Sequence, residues 1–128
     1  MLGQHSSVEI QASLITGLIW SLWHYPVHFA VLPFYLPRLP LWYATACFTA
    51  TVLGISFVHT WLRLRSGSVW PVALLHATCN AFQGAFESLT KHTDITSYLT
   101  YEYGIGFALV IPLIALPFWR RRRDVETE

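Results

Sequence analysis

The sequence predicts an all-α fold, a polytopic membrane bundle of about four transmembrane helices. Three observations predict it. The 128-residue chain is 54% hydrophobic and 16% aromatic but only 12% charged, with a mean hydropathy of +0.44, which is outside the ordinary range of soluble domains. Between successive charged residues lie four long uncharged segments, 10–37, 39–62, 66–86 and 103–119, each close to or above the roughly 20 residues that cross a bilayer. A soluble domain of this size hides only about two thirds of its surface, too little to bury all four.

The charges give the third observation and an orientation. The net charge is only +1, yet Arg63 and Arg65 fall between the second and third segments and Arg120 to Arg123 follow the fourth. Arg38 stands alone in the first connection, and Lys91 is offset by Glu87, Asp94 and Glu102 in the third. By the positive-inside rule both termini and the Arg63–Arg65 turn are cytoplasmic. Trp42, Tyr43, Trp61, Trp70, Tyr101, Tyr103 and Trp119 sit near segment ends, where amphipathic rings prefer the interface. The arginine tract abuts an apolar segment, so it reads as a stop-transfer anchor and no nucleic-acid partner is expected. Cys47 and Cys79 both lie within apolar segments and read as small packing residues, not a disulfide framework.

The elements follow in order within one membrane domain, 1–128. A short polar N-terminus through Gln11 shows neither a basic region nor a cleavage site, so no signal peptide is expected. The first span, SLITGLIWSLWHYPVHFAVLPFYLP, carries Pro26, which should kink or unwind it, and leaves through Pro33, Pro37 and Pro40. The second, LWYATACFTATVLGISFVHTWL, is rich in Ala44, Ala46, Ala50, Gly54 and Ser56, small residues that allow helices to approach closely in lipid. In RLRSGSVWP, Gly67 and Ser68 break the helix and Pro71 suits the first turn of the next. The third span, VALLHATCNAFQGAFESL, leads into a polar, Thr-rich external loop from Leu89 to Glu102, and a fourth apolar span ends at the arginines.

Polar side chains within spans mark either interhelical hydrogen bonds or a functional site. His76 and Asn80 are four apart and share a helix face, which Gln83 and Glu87 continue, so that stripe is not expected to face lipid. His24 and His28 share a face of the first span, and His59 lies near the cytoplasmic end of the second. Imidazole can act as a general base, hold a water or bind a metal, and an Asn amide can donate to a developing oxyanion, so two such spans together suggest hydrolysis. His24, His28 and His76 could supply three nitrogen ligands, although the spacing is not HExxH and no Cys or carboxylate stands beside them. No Ser or Cys is placed as a nucleophile; Ser21 reads as a packing hydroxyl.

GLIWSLWHYP, followed by SVWPVALLHATCNAF, resembles the second and third motifs of the CAAX-protease and bacteriocin-processing (Abi) family of intramembrane proteases, over about residues 13–82. That family's pattern is Glu-Glu-x-x-x-Arg, then Phe-x-x-x-His, then His-x-x-x-Asn or Asp. His24 matches the second-motif histidine, with Trp20 in place of Phe, and His76 and Asn80 match the third. The resemblance implies an intramembrane endopeptidase in a bacterial or archaeal plasma membrane, with the lipid bilayer and a peptide or protein substrate as partners. It implies a water activated between the motif-one glutamate and His24, with His76 and Asn80 steadying the oxyanion. Both a divalent metal such as zinc and a metal-free glutamate mechanism fit the family.

Glu-Glu-x-x-x-Arg is absent; the single upstream acid is Glu9, with no Arg four residues on, and Glu87 lies too far along its helix to substitute. The expectation is therefore the C-terminal part of a family member, truncated or degenerate, with weak or no activity alone. Two other classes stay open: a non-catalytic membrane protein such as an immunity or scaffold factor, and a small transporter whose path is lined by His76, Asn80, Gln83 and Glu87.

Overall fold

The computed structural model describes residues 2–90 and 93–120, with side chains from residue 8 onward. Lys91 and Arg121 to Arg123, which carry part of the charge pattern, lie outside the described residues. Every regular element among the described residues is helical, so the fold is an all-α bundle: α1 (Leu2–Tyr35), α2 (Leu41–Ser66), α3 (Trp70–Leu89), a short α4 (Asp94–Leu99) and α5 (Ile105–Arg120). By length and composition α2 is the one described helix that is long and apolar enough to cross a membrane, with a mean hydropathy of 1.6, and α5 is a shorter apolar helix.

Central to the bundle is α2, which packs along α1 on one side and α5 on the other. Its small residues set both distances. A Cβ on Gly17 of α1 would stand 2.8 Å from Ser56 Oγ and 2.9 Å from Leu53 Cδ2. A Cβ on Gly54 would stand 2.9 Å from the backbone nitrogen of Pro112 in α5. With side chains removed at those points the backbones close up, and dispersion along the seam replaces the hydrophobic drive that lipid does not provide. Polar groups fasten the same seam: Ser56 Oγ donates to the Ser13 carbonyl at 2.8 Å, and the Tyr25 and Thr49 hydroxyls lie 2.7 Å apart.

Helix α1 differs from the expected span in two ways. It starts at Leu2 and runs unbroken through Pro26 and Pro33, because neighbouring helices hold it where a missing amide would weaken an isolated helix. Its 34 residues make it about 50 Å long, well beyond the ~30 Å hydrocarbon layer. The turn into α2 packs Leu39 on Leu32 and Ala44, and α2 ends at Gly67 in the left-handed conformation, φ 63°. Pro71 falls at the start of α3, as expected.

The connection from α3 to α5 is not featureless. Thr93 and Thr96 form a reciprocal capping box that starts α4. Asp94 pairs with Arg38, while Tyr43 donates to the Tyr98 carbonyl at 2.7 Å and Tyr98 to the Arg38 carbonyl at 3.1 Å. The loop is thereby tied to the α1–α2 turn. In contrast, α3 buries none of its residues: His76 and Gln83 are half-buried, and Asn80 and Glu87 are exposed. The polar stripe is only partly covered within this chain, a departure from the expectation that it is enclosed.

Candidate active site

The site grows from the hairpin of α1 and α2. A short turn makes the two helices antiparallel neighbours, and counting equally outward from Arg38 brings Trp20 to within a turn of His59. The two rings stack, with centroids 5.3 Å apart and planes 14° from parallel. His76 reaches the same indole from α3 edge-on, 5.1 Å away at 64°, and its ring lies 6.1 Å from that of His59. Three helices thus meet at three rings.

His24 sits one turn beyond Trp20 on α1, its ring 6.4 Å from the indole. Its Nδ1 lies 2.9 Å from the Trp20 carbonyl oxygen. A carbonyl can only accept, so Nδ1 carries the proton and the neutral ring keeps a lone pair on Nε2. On α3, Asn80 Nδ2 stands 3.2 Å from His76 Nε2. An amide nitrogen can only donate, so His76 Nε2 accepts and the proton of that ring resides on Nδ1. The two histidines are set as opposite tautomers: one offers a basic nitrogen, the other an N–H. Both are half-buried, as a site open to water and peptide requires.

His24 and His76 are not in ring contact with each other; Trp20 separates them.

His28 meets the group only at His24, whose ring lies 6.1 Å away. It is buried against Phe48 at 4.1 Å and Tyr103 at 4.9 Å, facing the α5 side of the bundle. Nor does the donor set suit a resident metal: among the described residues no three His, Cys, Asp or Glu side chains come together in a set able to hold an ion. Glu87 lies eleven residues from His76, about 16 Å along α3. The residue that spacing did not single out is His59. Its signal was the hairpin register, legible once the α1–α2 turn is known to be tight.

No curated protein and no solved structure matches the chain. Residues 1–82 match the type II CAAX prenyl endopeptidase Rce1-like family, and this stretch contains Trp20, His24, His59, His76 and Asn80. With the match covering more than half of its length, the chain belongs to the Rce1-like family of type II CAAX prenyl endopeptidases.

Proposed function

We propose that this chain is an intramembrane endopeptidase of the CAAX prenyl protease type, hydrolysing a peptide bond close to the bilayer. The observation that carries the reading is the pair of opposite tautomers on Trp20: His24 with a free Nε2 and His76 with a free Nδ1–H, each held by a hydrogen bond. In the reaction His24 Nε2 takes a proton from water as its oxygen bonds to the scissile carbonyl carbon. His76 Nδ1–H donates to the oxygen that becomes negative, and Asn80, bonded to His76 Nε2, holds the ring in the tautomer that can do so. Collapse breaks the C–N bond, and the proton held on His24 passes to the leaving amine. No step runs through a metal.

The membrane topology belongs to the same proposal. Helices α1, α2, α3 and α5 are the four crossings, with both termini and the Arg63–Arg65 turn on the cytoplasmic side, by the distribution of basic residues. The family is membrane-embedded, and the apolar α2 at the centre of the bundle fits that setting. Within this stretch no Glu-Glu-x-x-x-Arg helix occurs, so His24 activates the water without a carboxylate, at a cost of about a hundredfold to ten-thousandfold in rate.

The test is cleavage of a prenylated, membrane-proximal peptide by the chain in lipid vesicles, native against His24→Ala and His76→Ala. Slow turnover that both variants abolish supports the reading; turnover unchanged in both overturns the site. A second reading, a non-catalytic membrane protein, is favoured by the same missing motif and would show as no turnover by the native chain.

A further inference from the structure

We propose that His59 is a positioning residue that holds His76 in place through the face of its ring and not through its nitrogens. The inference rests on the hydrolase reading for its meaning but on separate observations for its support.

Helix α3 has little else to hold it near α1. It buries no residue, and none of its Cα atoms lies within 8 Å of one in α1. The connection between the two helices that carry His24 and His76 is therefore made by side chains, and the Trp20 indole makes it, with His76 against one edge. What keeps the indole in that plane is His59, stacked on its face at 5.3 Å and 14° and set edge-on to His76 at 6.1 Å and 74°. All three separations lie in the range where aromatic pairs attract one another in stacked or edge-to-face geometry.

His59 is 9% exposed, and its Nε2 is buried with no hydrogen-bond partner. That nitrogen accepts or donates no hydrogen bond to another group of the protein, so the contacts His59 makes are those of its ring. The planar ring is in use and Nε2 is not. The Trp20 indole presents a wide face for a ring on α2 to cover.

The experiment is nuclear magnetic resonance of the full chain in lipid nanodiscs with 15N-labelled histidine rings, comparing native protein with His59→Ala and His59→Phe. In the native protein His76 gives one set of ring resonances with its proton on Nδ1. His59→Ala should average that set toward both tautomers while leaving the His24 resonances in place, and His59→Phe should restore the single set. In the peptide assay the alanine variant should lose about tenfold to a hundredfold in kcat with KM within about twofold, and the phenylalanine variant should recover most of it. A His76 tautomer unchanged by His59→Ala overturns the proposal, as does a phenylalanine variant that behaves like alanine. If the native chain cleaves no peptide, the hydrolase reading fails while the ring spectra still decide the role of His59.

Discussion

His24 Nδ1 lies 2.9 Å from the carbonyl oxygen of Trp20, one turn earlier on the same helix. The bond decides which nitrogen of the imidazole is basic, and so which face of the ring can accept a proton. It also uses a backbone acceptor, which no substitution at position 20 removes. Replacing His24 by Ala should lower kcat for peptide cleavage about a hundredfold to ten-thousandfold, the range for loss of a general base. Trp20→Phe should leave the His24 tautomer intact while weakening the contact with His76. Ring 15N shifts of the two histidines, recorded together, check both outcomes.

Asn80 sets the other tautomer by donating to His76 Nε2 at 3.2 Å. In Asn80→Ala that restraint is lost and the Nδ1–H donor of His76 is no longer fixed, so kcat should fall by up to about 10²–10³, the loss measured when a single oxyanion donor is removed. Asn80→Asp is sharper, because a carboxylate can only accept. It should draw the His76 proton onto Nε2 and lower kcat by at least as much. Steady-state kinetics on the two variants, with circular dichroism to verify folding, decide the point.

The approach of α1 to α2 depends on Gly17. A methyl group there meets Ser56 Oγ at 2.8 Å and the Leu53 backbone at 3.2 Å, so Gly17→Ala forces the helices apart and should destabilise the protein by about 1–3 kcal/mol. Gly84 on α3, where an added Cβ has nothing within 4 Å, is the control: Gly84→Ala should be neutral or stabilising by up to about 1 kcal/mol. Thermal unfolding in detergent separates the two.

Two contacts tie the connection between α3 and α5 to the α1–α2 turn, and they should differ in weight. Arg38 and Asp94 pair across solvent-exposed surface, so Arg38→Ala should cost at most about 1 kcal/mol, and less in high salt. Tyr43 donates from a partly covered position to the Tyr98 carbonyl at 2.7 Å and lies tilted against that residue's ring, 5.2 Å away. Tyr43→Phe should cost about 0.5–1.5 kcal/mol and be insensitive to salt. Melting temperatures at low and high ionic strength test the contrast.

Much of the molecule was legible in its residues. Uncharged runs, a Gly67 stop and a Pro71 start mark helices within a few residues of where they lie, because these signals act through local backbone geometry. The i and i+4 spacing of His76 and Asn80 placed them on one face, where they do hydrogen-bond. The length of α1 was not legible, since residues before the apolar run lack periodicity and their helicity depends on continuation from the span. Nor was the short α4, which a capping box nucleates inside a polar stretch that otherwise reads as loop.

The sequence by itself determined the helical class, the polar residues that lipid would reject, and the motif spacing that places the chain in its family. Those properties follow from composition and from neighbours a few positions apart. Only the tertiary structure decided which histidines meet. His28 stays 6.1 Å from His24 but packs on Phe48 and Tyr103 and makes no ring contact with Trp20 or His76, while His59, distant in sequence and outside either motif, stacks on Trp20 beside His76. The rotation of each helix about its axis makes that choice. Close contacts at Gly17, Ser56 and Gly54 set the rotation, and no residue's immediate neighbours in the chain encode it.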